Sequence, residues 1–237
     1  MEAPIGFSTG SLAASDFRAA LALLAGGSTT AVELSALRWS ELAPLLEAIP
    51  ALDLSRFAHV SVHAPSAFAE RDEAAAASAL REVALGRGWP VILHPDAVHR
   101  WERWDGFGPL LCIENMDRRK SAGRTAEELR TVFGRLPEAT LCFDVAHARQ
   151  LDPSMAGARD ILREFGGRLA QVHVSELDGA SAHVRLTRAA VRACREIAEL
   201  IPRRVPVVIE SPVLPEQIGS EVALALEALG RVPALSA

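Results

Sequence analysis

Acidic and imidazole side chains stand where short apolar runs of this sequence end. Residues 141–143 are apolar, Asp144 follows them directly, and His147 comes three residues later. A continuous apolar run is typical of a strand buried on both faces, so an acid at its end directs its charge out of the core. Carboxylates and imidazoles are metal ligands, although Asp144 could instead cap the next turn.

The same pattern recurs in seven of eight strand-like runs along the chain. These runs end on, or next to, Glu33, His63, His94, Glu114, Asp144, His173 and Glu210. Such a ligand set suits zinc or manganese, with iron and cobalt as alternatives, better than calcium. We therefore predict a divalent-metal site, which His147 and His183 could enlarge from loops beyond the sixth and seventh runs.

Several histidines and one acid have a plainer alternative role. Glu33 could bind substrate or pair with an arginine instead of a metal. His63 and His94 stand close to prolines, so either could be a hydrogen-bonded loop histidine. His59 opens a strand at the opposite face and His99 lies on a predicted helix, so we expect neither to take part in function.

Apolar runs alternate with segments of helical pattern along the whole chain. The predicted strands are residues 5–9, 31–34, 58–63, 90–96, 110–115, 141–147, 169–174 and 205–210. The predicted helices are residues 16–25, 40–49, 70–85, 97–104, 125–136, 156–165, 187–201 and 216–229. Capping residues and glycine exits mark several helix ends.

Eight strand and helix units of about 30 residues each predict a single α/β domain over residues 1–237, a closed (β/α)8 TIM barrel. A doubly wound open sheet is the alternative, but Gly6-Phe7-Ser8-Thr9-Gly10 lacks the G-x-G-x-x-G phosphate turn of that fold. In a parallel barrel all strand C-termini meet at one face. The predicted ligands therefore converge there.

Composition limits the classes of partner. The net charge of −5 provides no overall basic field, so DNA is possible but not favoured as a substrate. We expect a cytoplasmic protein without a membrane segment, because no stretch of about 18 apolar residues and no leader pattern occurs. Three cysteines without a C-x-x-C spacing indicate neither a redox motif nor a cysteine zinc site.

Four motifs resemble the xylose-isomerase-like barrel superfamily, which includes sugar isomerases and epimerases and the endonuclease IV type of apurinic endonuclease. They are Ile113-Glu114-Asn115, Asp144-x-x-His147, His173 and Ile209-Glu210-Ser211. The resemblance to the epimerases implies that Glu114, Asp144, His173 and Glu210 hold one divalent ion. In that branch Glu114 and Glu210 would shuttle a proton beside a carbonyl, and His147 would orient the sugar.

The chain departs from the epimerase pattern at two positions. Lys120 stands where those enzymes commonly carry a second glutamate, and Gly179 stands where they commonly carry an arginine, with Arg185 as the nearest substitute. We expect Lys120 and Arg185, together with Glu33 and Asn115, to contact substrate.

The endonuclease-like branch implies a trinuclear zinc site that explains more of the histidines. Its ligands would match His63, His94, Glu114, Asp144, His147, His173, His183 and Glu210, and only one ligand is missing, because Ser181 replaces an aspartate. Such a cluster would activate water for attack on phosphorus. The loops look short for gripping a duplex, and no arginine-rich arm is evident.

We predict a metal-dependent enzyme holding one to three ions per chain, with Glu114, Glu210 and His147 as catalytic residues. The first hypothesis is hydrolysis of a small or non-duplex phosphoester. The alternative is a one-metal sugar or sugar-phosphate isomerase or epimerase, and the third is a barrel that binds a ligand without turnover. The sequence does not predict the oligomeric state.

Overall fold

Eight parallel strands close into a barrel in the computed structural model, which describes residues 3–231. The strands are β1 (Ile5–Ser8), β2 (Ala31–Ser35), β3 (His59–His63), β4 (Val91–Leu93), β5 (Leu111–Glu114), β6 (Thr140–Asp144), β7 (Leu169–Val174), β8 (Glu176–Leu177), β9 (His183–Val184) and β10 (Val207–Ile209). β8 and β9 form a separate antiparallel hairpin, and β10 closes the barrel by pairing with β1 and β7. The barrel prediction is confirmed, and the open sheet is excluded.

Helices cover the outside of the barrel between most successive strands, and the connection from β4 to β5 consists of 3-10 turns instead. They are α1 (Thr9–Leu12), α2 (Phe17–Leu24), α3 (Trp39–Ala48), α4 (Glu70–Arg87), α5 (Ala126–Arg135), α6 (Val145–Leu151), α7 (Ala156–Phe165), α8 (Arg188–Arg195) and α9 (Ile218–Ala228). Asp16 caps α2 by accepting from two backbone N–H groups, and Thr125 caps α5 by accepting from the backbone N–H of Glu128. No helix within residues 3–231 is both long enough and apolar enough to cross a membrane.

Two predicted helices are wrong in part. The segment predicted as helix 97–104 forms two short 3-10 turns, Pro95–Ala97 and Trp101–Trp104. Glu73 of α4 fixes this segment, because its carboxylate accepts hydrogen bonds from the backbone of His99 and from the indole of Trp104. The predicted helix 187–201 ends as α8 at Arg195, and a 3-10 turn, Ala198–Leu200, follows.

Two predicted site residues lie on different elements from those the sequence indicated, and a third lies at a different position on its predicted strand. Glu33 is in the middle of β2 rather than at its end, because that strand continues to Ser35. His147 lies on α6 and not in a loop, since α6 begins directly after β6. His183 lies in β9 of the hairpin.

Strand alternation divides the buried residues into two layers. Leu111 and Ile113 of β5 belong to the apolar core between strands and helices, whereas Cys112 packs with Ile92 and Cys142 in a separate small cluster. Successive side chains of a strand point to opposite faces, so Cys112 and Glu114 point into the barrel. Inside the barrel, the apolar cluster therefore lies deeper, and the acids and histidines lie toward the C-terminal ends of the strands.

Candidate metal centre

All eight predicted metal ligands meet at the C-terminal face of the barrel. Seven of them are buried, and only the side chain of His183 is partly exposed, at 29%. Their ligand atoms form three groups, each within 4.8 Å: His63, His94 and Glu114; Glu114, Asp144, His173 and Glu210; Asp144, His147 and His183. A fourth group of the same kind consists of Glu33, His63 and Glu210.

Glu114 joins the first two groups through its two oxygen atoms. Oε2 lies 3.3 Å from Nε2 of His63 and 3.0 Å from Nε2 of His94. Oε1 lies 3.2 Å from Nδ1 of His173. One carboxylate thus faces imidazoles of two different groups.

Asp144 joins the second and third groups. Its Oδ1 accepts a hydrogen bond from the backbone N–H of His147 at 2.6 Å and so caps α6. Its Oδ2 is buried without a hydrogen-bond partner among residues 3–231, as are Oε2 of Glu210 and Nδ1 of His94. Unpaired buried polar atoms are costly, and a cation would satisfy the two carboxylates. The donor set and these atoms fit divalent metal ions.

Backbone carbonyls fix the orientation of two histidine rings. Nδ1 of His63 lies 2.7 Å from the carbonyl oxygen of Ala64, and Nδ1 of His147 lies 2.9 Å from that of Asn115. Because a carbonyl only accepts, each Nδ1 carries a proton, which leaves Nε2 as the nitrogen that would bind a metal. His183 is held by Ser175 instead, with 2.8 Å between the Ser175 hydroxyl and Nδ1.

Asn115 holds Asp144 in place across two strands. Its Nδ2 donates to the backbone carbonyl of Asp144 at 2.9 Å, and its Oδ1 accepts from the backbone N–H of Asp144 at 2.8 Å. Asn115 is fully buried. The sequence predicted a substrate contact at this position, whereas the structure places the side chain behind the ligands.

The ionisable groups of the centre shift one another's pKa values. Burial lowers the pKa of His63, but the hydrogen bond to Glu114 and the charge of Glu33 outweigh it and raise that pKa to about 9. Burial raises the pKa of Glu114, but His173 and His94 outweigh it and hold that pKa well below its usual value. Burial raises the pKa of Asp144 to about 6.

A cavity of about 430 Å³ opens above the ligands. It is lined by Ser8, Ser11, Leu37, His63, Ser66, His94, Glu114, Met116, Asp117, Arg119, Lys120, His147, His183 and Glu210. Lys120 is the predicted substrate contact on its wall, where it pairs with Asp96 at 3.1 Å. Arg185 lies away from the cavity and binds Glu221, and Glu33 lies beneath it, fully buried.

Sequence reasoning missed several residues of the site. Arg119 and Asp117 line the cavity as an ion pair at 2.8 Å, and the charged run after β5 was a signal for them. Gln171 contacts both Glu33 and His173. Its position two residues before His173 on β7 was the available signal, since residues two apart share a face of a strand.

No protein-family model matches the chain, and no curated protein sequence matches it. Solved structures match over nearly the whole length. The IOLI protein with a bound zinc atom shares 12% identity and a TM-score of 0.70, with 99% of this chain and 100% of that chain covered. A D-tagatose 3-epimerase-like protein shares 16% identity and a TM-score of 0.67, with 98% of each chain covered.

A third match is a xylose isomerase domain containing protein from Salmonella typhimurium LT2, with 14% identity, a TM-score of 0.62, and 97% of this chain and 98% of that chain covered. The chain has the xylose-isomerase-like barrel fold. The fold that the four motifs implied is thereby confirmed. At these identities the likeness concerns the fold, and the TIM barrel hosts many unrelated chemistries.

Proposed function

We propose that the protein is a divalent-metal-dependent hydrolase of small phosphoesters with a polynuclear centre. The observation that carries the proposal is the position of Glu114, whose two oxygen atoms face the imidazoles of two adjacent ligand groups. Neighbouring metal ions that share a ligand clamp the attacking and leaving oxygens of a phosphoryl transfer. A single-ion site has no need of His63 and His94.

The chain offers residues for two complete ligand groups and a weaker third. Bound divalent ions would supply the positive charge that acidifies a water molecule and neutralises phosphate oxygens. The third group, Asp144, His147 and His183, lacks the further acid that the resemblance implies. Ser181 stands at that position, and its hydroxyl accepts from Nε2 of Gln150 at 2.7 Å. We therefore expect two ions per chain, with a third bound more weakly.

The cavity favours a small substrate over duplex DNA. Its volume of about 430 Å³ falls in the range of pockets that hold small molecules, roughly 300–1,000 Å³. Lys120 and Arg119 place donors for phosphate oxygens on its wall. Ser8, Ser11 and Ser66 add hydroxyl groups suited to a polyhydroxylated leaving group.

A one-metal sugar isomerase or epimerase is the second candidate. The likeness to the D-tagatose 3-epimerase-like barrel and the group of Glu114, Asp144, His173 and Glu210 support it. Against it, both oxygens of Glu114 contact imidazoles, Oε2 that of His63 and Oε1 that of His173. A carboxylate that shuttles a proton needs an oxygen within reach of the substrate.

The test is metal content combined with turnover. Protein purified without chelator is analysed for zinc, manganese, iron and cobalt, and is assayed on p-nitrophenyl phosphate, bis-p-nitrophenyl phosphate, abasic DNA and a panel of ketoses and their phosphates. Two or three ions with phosphoester cleavage support the proposal. One ion with ketose conversion supports the epimerase, and bound metal with tight ligand binding but without turnover supports a binding barrel.

The cytoplasmic location stays a prediction, which cell fractionation tests.

A further inference from the structure

A column of hydrogen-bonded polar side chains lies inside the barrel, beneath the proposed metal centre. Nε2 of His59 lies 2.7 Å from Oε1 of Gln171, and Nε2 of Gln171 donates to Oε2 of Glu33 at 2.6 Å. The same Glu33 oxygen lies 3.1 Å from Nε2 of His173. The column therefore connects the N-terminal end of β3 with a predicted metal ligand.

Glu33 is the centre of this column. Its side chain is fully buried, and three donors converge on Oε2, because the hydroxyl of Ser61 also donates to it, at 3.1 Å. TIM-barrel interiors are ordinarily filled by bulky branched apolar side chains. A buried charge is costly unless it is hydrogen-bonded, so a carboxylate here that stabilised nothing would weaken the fold.

The contact with Glu33 determines which nitrogen of His173 faces the ligands. Nε2 of His173 also lies 2.8 Å from Nε2 of Gln171, and both of these nitrogens lie within hydrogen-bond distance of Oε2 of Glu33. Because a carboxylate only accepts hydrogen bonds, we assign the proton of His173 to Nε2, which donates it to Glu33. Nδ1 then points to Glu114 and Glu210, whose nearest oxygens lie 3.2 and 3.4 Å away. A histidine that binds metal through one nitrogen usually donates its other N–H to such an acceptor, which orients the ring and increases the ligand's basicity.

With the metal centre proposed above as its basis, we propose that Glu33 is a positioning residue for His173. It fixes the ring and the tautomer that present Nδ1 to the metal, and its charge strengthens that bond. Gln171, anchored by His59, and Ser61 hold the Glu33 carboxylate in place. His59, expected from the sequence to have no role, thereby belongs to the support of the centre.

The test is the affinity of the Glu33→Gln variant for cobalt(II), measured by titration with the visible absorption of the bound ion as the signal. The variant keeps the shape of the side chain and loses its charge. We expect wild-type stoichiometry with about 10- to 100-fold weaker binding, the usual effect of losing such a partner. The matched control is Glu73→Gln, another fully buried carboxylate, which binds Trp104 and Arg103 outside the barrel and should leave cobalt affinity unchanged.

Two results with the variant would overturn the proposal. Unchanged cobalt affinity would show that Glu33 does not act on His173. Loss of one ion per chain would show that Glu33 is itself a ligand, as the group of Glu33, His63 and Glu210 would allow. A wild-type protein that binds no metal would contradict the proposed function itself. A wild-type protein that binds metal, with an unaffected Glu33→Gln variant, would contradict only the role of Glu33.

A measurement on the wild-type protein covers the case in which Glu33→Gln does not fold. Long-range proton–nitrogen NMR spectra of the zinc-loaded protein report which imidazole nitrogen carries the proton. We expect a protonated Nε2 and a metal-bound Nδ1 in His173. A proton on Nδ1 of His173 would overturn the proposal.

Discussion

Nε2 of His94 lies 3.0 Å from Oε2 of Glu114, whereas the other oxygen of that carboxylate contacts His173. His94 therefore belongs to the ligand group with His63 and not to the four-residue group that would hold a single ion. His94 is therefore a metal ligand only in the polynuclear hydrolase, and a change at His94 distinguishes that proposal from a one-metal epimerase.

We expect His94→Ala to lose one metal ion per chain and to reduce phosphoester hydrolysis by more than about 100-fold, since losing even an outer partner of a ligand costs about 10- to 100-fold. A one-metal epimerase would be almost unaffected. Elemental analysis and turnover rates measure both effects. His99→Ala is the control, because His99 binds the carbonyl of Phe68 away from the centre. Full activity and unchanged metal content in His94→Ala would refute the polynuclear proposal.

Metal removal should lower the thermal stability of the protein. Glu114, Asp144 and Glu210 lie in one buried group, and their like charges repel when no cation lies between them. A ligand present at about 100 times its Kd adds roughly 2.7 kcal/mol to the free energy of unfolding, or about 5–10 °C in Tm for a chain of this length. Thermal unfolding after chelation and after reloading with zinc or manganese measures the change.

Calcium is the control for that experiment. It prefers oxygen ligands, so a centre that contains five histidines should gain much less stability from calcium than from zinc or manganese. An equal shift with calcium would contradict the assignment of the histidines as ligands.

The alternation of apolar runs with helical segments was enough to predict the barrel. Strand β7 (Leu169–Val174) and helix α7 (Ala156–Phe165) have the predicted bounds, because each has a strong apolar pattern of its own period. The prediction of a helix over residues 97–104 was wrong because the carboxylate of Glu73 accepts a hydrogen bond from the backbone N–H of His99, 26 residues later. A local pattern contains no information about such a partner.

The same reason limits what the sequence says about the site. Strand ends predicted which ligands converge, since parallel strands place their C-termini together. The contact between Glu33 and Gln171 joins residues 138 positions apart, and it depends on which layer of the barrel each residue occupies. Sequence spacing did not predict this contact. Without it, the position of Glu33 near the end of a predicted strand indicated a residue that touches substrate.

Asn115→Ala should destabilise the protein and displace Asp144. The substitution removes both hydrogen bonds between the Asn115 side chain and the backbone of Asp144, and each buried group left without a partner costs about 1–3 kcal/mol. We expect a loss of roughly 2–5 kcal/mol in the free energy of unfolding, measured by urea denaturation, together with weaker metal binding. Asn115→Asp should rescue neither effect, because it sets an oxygen against the Asp144 carbonyl. Wild-type metal affinity in both variants would contradict this role.

Glu210→Gln should abolish turnover whichever chemistry the centre performs. The Glu210 carboxylate lies 3.4 Å from Nδ1 of His173 and 3.6 Å from Nε2 of His183, so a neutral amide would remove a charged ligand between them. We expect a fall of more than about 100-fold in phosphoester cleavage or ketose conversion. Glu216→Gln, at an exposed glutamate in the turn before α9, is the control and should keep wild-type rates.

Lys120→Met should raise the KM for a phosphorylated substrate more than it lowers kcat. Lys120 lies on the cavity wall, and a hydrogen bond from its ammonium group to a phosphate contributes about 1.5–3 kcal/mol. Because 1.4 kcal/mol corresponds to a tenfold change in binding, we expect KM to rise roughly 10- to 100-fold. Arg118→Met provides the control, since Arg118 is exposed and binds the carbonyl of Gly179 outside the cavity. Steady-state kinetics on p-nitrophenyl phosphate measure both constants, and an equal rise in KM for both variants would show that only the general positive charge of this loop matters.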